Sequence, residues 1–311
     1  MEIILHLGAH RTASTSFQRY MQINAGALTA RGIGYWGPDV TRDGLLSGVI
    51  PVNRWRTATT QLNRARGRIA LRVHGAKAEG LNRLIVSDEN MIGSPRGNLR
   101  DGRLYAAIGE RMARFAYAFE DGIGRVFLSV RSQDTFWASA LAYSVARGHR
   151  IPRPEDLDRL VTVNRNWREV LTDLACALPG VEILVMPHEI FAGLPEERLR
   201  LMTGLKSPPT KAARDWLNRS PDLDTLHRAV TARGGDGTRL PEGQGRWQPF
   251  DCYQRQALQE AYADDLSWLR AGADGLARLT EETGPVMAEG HPPIGETTRG
   301  HRNGIEERRL A

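Results

Sequence analysis

Lysine is nearly absent from this chain of 311 residues, although arginine is abundant. Only Lys77, Lys206 and Lys211 occur, against a combined lysine and arginine count of 42, so arginine carries almost all of the formal net charge of +6. A basic balance suits an anionic ligand and could also suit nucleic acid. Nothing in the sequence resembles a helix-turn-helix, an RNA-recognition motif or basic residues interleaved with aromatics, so we do not expect a nucleic-acid partner.

Cysteine and long apolar runs are scarce as well. Cys176 and Cys252 lie in separate segments without metal-ligand spacing, which predicts helix-face thiols in a reducing compartment and no metal site. No run approaches the roughly 18 apolar residues that a membrane helix needs. No basic region precedes an apolar core at the N-terminus, so we expect no signal peptide and a cytoplasmic protein without a membrane span.

Short apolar runs alternate along the chain with segments of helical periodicity. Buried strands are predicted at residues 3–5, 84–86, 126–130 and 181–185. Helices are predicted at about residues 15–31, 57–79, 103–119, 133–147, 161–178, 196–203, 211–233 and 251–270. This alternation predicts an α/β fold with a central, mostly parallel sheet and helices on both faces, within residues 1–283. Residues 284–311 are rich in proline, glycine and charge, which predicts a disordered tail.

The loop after the first strand is the clearest candidate for a binding site. It runs from Gly8 into a predicted helix, where free N–H groups and the helix dipole favour an anion. Thr15 and Gln18 have the spacing of a capping box. A P-loop would have lysine at the position of Ser14, and here the cation is Arg11 instead. A magnesium-dependent kinase or NTPase is therefore disfavoured, a phosphate-bearing ligand is expected, and a strand-turn-helix without a ligand is the alternative.

Two further predicted strands end in polar residues. Ser87, Asp88, Glu89 and Asn90 follow the second strand, and Arg131 follows the third. Ligands bind at the carboxyl ends of parallel strands, so these residues and the first loop should converge on one crevice. The alternatives are a helix cap or turn for the cluster and a plain surface position for the arginine.

Two of these motifs together resemble the sulfotransferases that use 3′-phosphoadenosine 5′-phosphosulfate (PAPS), particularly the bacterial members. The first motif of that family is a strand, then His-x-Gly-x-x-Lys-Thr-Gly-Thr-Thr, and the chain is similar to it over residues 6–15. Arg11 stands in the place of the family's lysine, and Ala13 in the place of its glycine, which requires a backbone without positive φ there. The second motif is a strand ending in arginine with a serine eight residues later, here Arg131 and Ser139.

Two further segments fit this resemblance, which covers about residues 2–272. Residues 87–90 lie where many members carry an acidic residue that acts as the catalytic base. Residues 245–250 resemble a C-terminal segment of bacterial members that helps to close over the cofactor, and they include Arg246.

The resemblance implies a P-loop-NTPase-like three-layer fold and transfer of a sulfuryl group from PAPS to a hydroxyl or amine. The acceptor is an unidentified small molecule, lipid or carbohydrate, and the nucleotide product is adenosine 3′,5′-bisphosphate. The sulfuryl group carries less charge than a phosphoryl group, so no metal is expected. A non-catalytic nucleotide-binding relative is the main alternative, and a P-loop kinase is a less favoured one.

The resemblance also assigns residues to the two halves of the reaction. The residues expected to bind the cofactor are Gly8, Arg11, Thr12, Ala13, Ser14, Thr15, Arg131, Ser139 and Arg246. Within that set, Arg131 and Ser139 would hold the 3′-phosphate, and Arg11 would stabilise the leaving group. Glu89 is the first candidate for the base that activates the acceptor, with Asp88 and His10 as the others.

Overall fold

A computed structural model describes residues 1–51, 58–120, 122–163 and 165–281, so the predicted tail at residues 284–311 lies outside the described residues. The strands are β1 (Glu2–His6), β2 (Ile33–Trp36), β3 (Arg83–Ser87), β4 (Ile123–Val130), β5 (Glu182–Pro187) and β6 (Arg278–Leu279). They form one sheet in the order β2-β3-β1-β4-β5-β6, and every pair is parallel. The α/β fold with a central parallel sheet is therefore confirmed. The two edge strands, β2 and β6, are absent from the four predicted strands because both are short.

Helices fill most of the connections between strands. They are α1 (Ser14–Ile23), α2 (Ala25–Thr29), α3 (Pro38–Val40), α4 (Ala58–Ala78), α5 (Pro95–Asp101), α6 (Ile108–Ala118), α7 (Gln133–Ala146), α8 (Pro154–Thr162), α9 (Trp167–Ala177), α10 (His188–Phe191), α11 (Pro195–Thr203), α12 (Leu223–Thr231) and α13 (Cys252–Arg270). Within the described ranges, no helix combines the length and apolarity needed to cross a bilayer. Cys176 in α9 and Cys252 in α13 are exposed free thiols, as helix-face positions predict.

The sheet separates two apolar layers, because successive strand side chains point to opposite faces. Leu5, Val126 and Val185 pack on one face, against α4, α6, α7, α9 and α13. Ile4 and Phe127 pack on the other face, against α1, α2, α10 and α11. The fold thus has three layers, and both faces of the sheet are covered, as a parallel sheet requires.

The first predicted helix is wrong in its length, because the chain breaks at Asn24. The side-chain amide of Asn24 donates to the carbonyl of Tyr20 at 2.8 Å and to that of Lys211 at 2.9 Å. Asparagine competes for backbone groups in this way and so favours helix ends. The predicted helix at residues 15–31 is therefore two helices, α1 and α2.

The predicted helix at residues 211–233 is wrong in its first half. Residues 211–222 form turns, with positive φ at Ala212 and Asn218, and α12 begins only at Leu223. Asp222 caps that helix by accepting a hydrogen bond from the backbone N–H of Thr225 at 2.8 Å. The error matters for function, because part of this turn segment lines the crevice described below.

The predicted helix at residues 161–178 is also misplaced at its start. The chain there forms two helices, α8 and α9, and α9 begins at Trp167. Asn166 caps it by accepting from the N–H of Glu169, while the Glu169 carboxylate accepts from the N–H of Asn166. This reciprocal capping box sets the boundary, which apolar spacing alone did not locate.

Candidate functional site

A crevice of about 210 Å³ lies at the carboxyl edge of the sheet. The loop after β1 lines it, together with Glu89 and Asn90 after β3, Arg131 after β4 and His188 after β5. These four strands are adjacent in the sheet, so their ends meet as the parallel topology requires. Residues 216–220, from the turn segment before α12, form a further wall, and Ser139 and Tyr143 of α7 also line the crevice. The predicted convergence of polar strand ends is therefore present, with His188 as a fourth strand end that was not predicted.

The loop between β1 and α1 is tightly folded. Gly8 has a φ of +36°, and a Cβ there would lie 2.5 Å from the Ser14 hydroxyl oxygen, so a side chain does not fit. Arg11 and Ala13 also have positive φ, 67° and 63°. The requirement that Ala13 avoid positive φ is thus not met. A left-handed conformation costs a non-glycine residue roughly 1–2 kcal/mol, and the surrounding fold must stabilise it.

The predicted capping box at the start of this helix is wrong. Helix α1 begins at Ser14, its N-cap residue is Ala13, and no side chain caps it. The amide of Gln18 turns away instead and donates to the Glu89 carboxylate at 2.7 Å. Without a side-chain cap, the N–H groups of the first turn stay open to an anion.

One half of the crevice, here called the arginine side, consists of Arg11, Arg131, Ser139, Ser220 and Arg246. The guanidinium of Arg11 donates from Nε to the Ser139 hydroxyl at 2.9 Å and from Nη2 to the Ser220 hydroxyl at 3.2 Å. The two serine hydroxyls share a further hydrogen bond. Arg131 donates from Nη1 to the carbonyl of Arg11 at 2.8 Å, so the loop after β1 and the end of β4 are tied together.

The arginines of this side are not held in salt bridges in the described part of the chain, although the charge of Glu189 partly opposes the lowering of the pKa of Arg131. Among the described residues, Arg11, Arg131 and Arg246 form no ion pair with a carboxylate within 4.0 Å. Burial lowers the pKa of Arg11 and that of Arg131 to about 10, and both stay charged at neutral pH. Arg131 is buried and Arg11 half-buried, whereas Arg246 is exposed. Burying an unpaired charge is costly, so the first two arginines favour an anionic ligand.

The Arg11 side chain lies against α7. Its guanidinium carbon is 4.8 Å from the centre of the Tyr143 ring, in addition to its hydrogen bond with Ser139 one turn earlier. Arg147 makes a second cation–π contact with Tyr143, its guanidinium carbon lying 3.5 Å from the ring centre. Sequence reasoning placed Arg11 at a leaving group beside the start of α1, whereas the structure directs its charge towards the predicted 3′-phosphate residue, Ser139.

The other half, here called the carboxylate side, consists of His10, Arg42, Asp88, Glu89 and Asn90. Asp88 is buried, and its carboxylate accepts from Arg42 Nη2 at 2.6 Å and Nε at 3.1 Å and from the backbone N–H of Asn90 at 3.0 Å. It thereby caps the short 3₁₀ turn at Glu89–Met91. This is the helix-cap role that the sequence offered as the alternative to a catalytic one. Glu89 accepts from Arg42 Nη2 at 3.0 Å and is the carboxylate that lines the crevice.

His10 is enclosed by two side chains. Its Nδ1 lies 3.0 Å from the hydroxyl of Tyr105, which also accepts from the backbone N–H of His10 at 2.8 Å. Its Nε2 lies 3.2 Å from the side-chain amide of Asn90. Burial lowers the pKa of His10, although Glu89 and Asp88 oppose that shift, so the ring is neutral at neutral pH.

Most residues predicted to bind the cofactor line the crevice. They are Arg11, Ala13, Ser14, Thr15, Arg131, Ser139 and Arg246. Thr12 does not: it is fully buried, and its hydroxyl donates to the carbonyl of Ala9 at 2.5 Å. The Thr12 carbonyl in turn accepts from Arg198 Nη2 at 2.9 Å, so Thr12 stabilises the loop through buried contacts and does not face the ligand. Gly8 contributes its conformation and its carbonyl, which accepts from the Ser14 hydroxyl at 3.4 Å.

Several residues of the crevice were missed from the sequence. His188 directly follows an apolar strand, so the rule that polar strand ends form the site would have found it. Its Nδ1 is buried with no hydrogen-bond partner among the described residues. Burial, Arg131 and Arg198 lower its pKa well below the usual value, which keeps the ring neutral. Ser220 and Arg42 carry no local signal, because only the tertiary fold brings them to the strand ends.

Comparison with known proteins adds no family to this picture. No protein-family model matches the chain, and no curated protein matches it either. In the described part of the chain, no group of three or more histidine, cysteine, aspartate or glutamate side chains is placed to hold a metal ion. The functional argument therefore depends on the geometry and charge of the crevice.

Proposed function

We propose that this chain transfers a sulfuryl group from PAPS to a hydroxyl or amine of an acceptor molecule. The observation that carries the proposal is the arginine side, where Arg11, Arg131 and Arg246 have no carboxylate partner within salt-bridge distance among the described residues. The uncapped start of α1 opens into the same crevice. A nucleotide with two separate phosphate groups matches two separate anion sites. The two segments that resemble motifs of PAPS-dependent sulfotransferases, residues 6–15 and 131–139, supply residues to these two sites, which supports the proposal.

The residues present fit the anionic parts of such a nucleotide. Arg131 and Ser139 would hold the 3′-phosphate, and Ser220 and Arg246 would add donors to it. The N–H groups at the start of α1, with the side chains of Ser14 and Thr15, would hold the 5′ end. The bound nucleotide would supply the activated sulfuryl group, and this side of the crevice would stabilise the charge that develops on the leaving phosphate.

The carboxylate side supports the acceptor half of the reaction. An acceptor hydroxyl must lose a proton as its oxygen attacks sulfur, so a base has to face the crevice. Glu89 and His10 both line it, whereas Asp88 is occupied by Arg42 and Thr41. Asp88 is thus proposed to position Arg42, and the base is proposed to be one of the other two.

A nucleotide-binding protein without transferase activity is the second candidate. Two observations favour it: the positive φ of Ala13 and the placement of the Arg11 guanidinium against α7 instead of the start of α1. In a transferase, a cation is expected beside the leaving group. A P-loop kinase is less well supported, because Ser14 replaces the lysine that contacts the nucleotide phosphates.

Thermal unfolding with three ligands tests the proposal. Adenosine 3′,5′-bisphosphate should raise the midpoint of unfolding, because a ligand that binds only the folded state stabilises it. ATP with magnesium and a short single-stranded RNA should raise it less. A larger shift with ATP and magnesium would contradict the proposal. Stabilisation by the bisphosphate without release of that product from PAPS, over a panel of hydroxyl and amine acceptors, would instead support the non-catalytic binder.

A further inference from the structure

The side chain of Asn90 lies between a neutral ring and a cation. One end of its amide is 3.2 Å from His10 Nε2. The other end faces the guanidinium of Arg42, with contacts of 3.1 and 3.3 Å. The two ends of an amide differ, because the oxygen accepts hydrogen bonds and the nitrogen donates them. The orientation of this amide therefore sets which nitrogen of His10 carries the proton.

Two proton arrangements compete at this position. With the Asn90 oxygen towards Arg42, the amide nitrogen donates to His10 Nε2, and Nδ1–H donates to the hydroxyl of Tyr105. With the amide reversed, Nε2–H donates to the oxygen and Tyr105 donates to Nδ1, but the NH₂ group of Asn90 then faces the donors of Arg42. A hydrogen bond to a charged donor is roughly twice as strong as a neutral one. The first arrangement leaves the Tyr105 hydroxyl hydrogen without an acceptor among the described residues, because that oxygen also accepts from the backbone N–H of His10. The second arrangement sets the Asn90 NH₂ group against a guanidinium, and we take this clash with a charged donor to be the larger cost.

We propose that Asn90 and Tyr105 hold His10 in the Nδ1–H tautomer, so that His10 Nε2 is the base for the acceptor. The proposal rests on the sulfuryl transfer proposed above and assigns its base. The Nδ1 edge of the ring faces Tyr105, which is almost fully buried, so the Nε2 edge is the one turned towards the crevice that His10 lines. Glu89 is the weaker candidate, because it is ion-paired with Arg42 at 3.0 Å and proton uptake there would break that pair, whereas His10 Nε2 accepts only from a neutral amide.

The proton and electron balance of this step is complete. The acceptor hydroxyl takes the place of the Asn90 amide at Nε2 and gives its proton to that nitrogen as its oxygen bonds to sulfur. The bond between sulfur and the bridging oxygen of PAPS breaks, and its electron pair stays on the 5′-phosphate of the product. The imidazolium that forms is stabilised by Glu89 and Asp88, and it returns its proton to solvent after product release.

The carboxylate side is built to keep this arrangement. Asp88 holds the Arg42 guanidinium through two of its nitrogens, and Arg42 fixes the oxygen end of the Asn90 amide. On the far side of the ring, the backbone N–H of Tyr105 donates to the side-chain oxygen of Asn98 at 3.0 Å, which fixes the backbone of Tyr105. Asn90 and Tyr105 act through His10 and are therefore positioning residues.

Nitrogen NMR of histidine-labelled protein measures the tautomer directly, because protonated and unprotonated ring nitrogens resonate far apart. The His10 signals are identified by their loss in His10→Gln, and spectra are taken near pH 8 with adenosine 3′,5′-bisphosphate present. We expect His10 to be protonated at Nδ1 and bare at Nε2. A proton found on Nε2 of the wild-type protein would overturn the proposal.

Two variants test how the tautomer is set. The carboxylate introduced by Asn90→Asp can only accept, so Nε2 should gain a proton, whereas Asn63→Asp on the exposed surface should change nothing. Tyr105→Phe removes the acceptor of Nδ1–H and should lower the Nδ1–H population. If Tyr105 instead donates to Nδ1, the same variant would raise that population, which would overturn the proposal even if Asn90→Asp failed to fold.

Nucleotide affinity separates this inference from the proposed function. Asn90→Asp should still bind adenosine 3′,5′-bisphosphate, with an affinity lowered only by the added negative charge, because Asn90 lies on the carboxylate side and not among the arginines. An unchanged tautomer in a variant that still binds the bisphosphate would overturn the role of Asn90 and leave the proposed function standing. If the wild-type protein itself fails to bind adenosine 3′,5′-bisphosphate, the proposed function is overturned.

Discussion

The two sides of the crevice solve opposite electrostatic problems. On the carboxylate side, Arg42 is matched by Asp88 and Glu89 at 2.6 and 3.0 Å, so the charges there are largely satisfied within the protein. On the arginine side, the hydrogen bonds of Arg11 and Arg131 within the described ranges go to hydroxyls and a carbonyl, and Arg11 also lies over an aromatic ring. A region with satisfied charges can hold side chains in fixed positions for chemistry. A region with unpaired charge is prepared for a ligand that supplies the missing anion.

The two histidines of the crevice, His10 buried and His188 half-buried, show the same contrast. Both His10 and His188 are neutral because burial lowers their pKa values. Around His10, Glu89 and Asp88 oppose the lowering, whereas around His188 the arginines Arg131 and Arg198 add to it. This difference agrees with the proposal that the carboxylate side takes part in proton transfer and the arginine side in anion binding.

The largest effect on the free energy of unfolding is expected from a substitution of Asp88, the residue that holds Arg42 on the carboxylate side. Asp88→Asn removes the charge that holds Arg42 and should lower the free energy of unfolding by about 2–3 kcal/mol, because buried hydrogen bonds to charged groups are lost. Glu89→Gln keeps its contact with Gln18 and should cost less than about 1 kcal/mol, since Arg42 is half exposed there. Urea denaturation measures both. Equal losses would show that the two acids do not differ as described.

Acidification should have the next largest effect on the free energy of unfolding. His188 and His6 have lowered pKa values in the folded chain, that of His6 being about 3, while an unfolded histidine titrates near 6.5. The unfolded chain therefore binds more protons below pH 6.5, and stability should fall as the pH drops from there towards 3. Each such histidine contributes up to about 1.4 kcal/mol per pH unit.

Asp265 changes the stability in the opposite direction, because burial raises its pKa to about 6. It opposes the histidines between about pH 6 and its unfolded value near 3.8. His188→Gln should flatten the decline of the unfolding free energy between pH 6.5 and 5. A decline of the same steepness in that variant would show that His188 is not held neutral by its surroundings.

The smallest effect is expected in the loop that joins the two sides. Ala13→Gly relieves a positive φ, which costs alanine roughly 1–2 kcal/mol, but it also adds freedom to the unfolded chain. The net result should be a gain of no more than about 1 kcal/mol. Ala70→Gly inside α4 serves as the matched control and should lose about 1 kcal/mol. Equal losses in both variants would mean that no strain is stored at Ala13.

The sequence predicted the sheet and its polar edge because those features depend on local pattern. The apolar runs at β1, β3, β4 and β5 are continuous, as buried parallel strands require, and the strand-end rule then located Glu89 and Arg131. The same rule covers His188, which directly follows β5. Helix boundaries failed where a side chain such as Asn24 or Asn166 competes for backbone groups.

The turn segment before α12 and the orientation of Arg11 could not be predicted in this way. Ser220 reaches the crevice from a segment with helical composition, and Arg42 reaches it from the irregular segment that follows β2 and α3. Arg11 was assigned a role from its place in a motif, but its guanidinium position depends on Ser139 and Tyr143, more than a hundred residues away. Contacts of that range are set by tertiary packing and leave no periodic signal.

The central claim is that the arginine side recognises the 3′-phosphate of a nucleotide. Isothermal titration of adenosine 3′,5′-bisphosphate and of adenosine 5′-phosphate, with the wild type and Arg131→Ala, tests it most directly. Arg100→Ala, on an exposed helix end, is the control. Charge-assisted hydrogen bonds of about 1.5–3 kcal/mol predict that the wild type prefers the bisphosphate by about tenfold or more, and that Arg131→Ala loses most of this preference. Equal affinity of the wild type for both nucleotides, or a preference that survives in Arg131→Ala, would contradict the account.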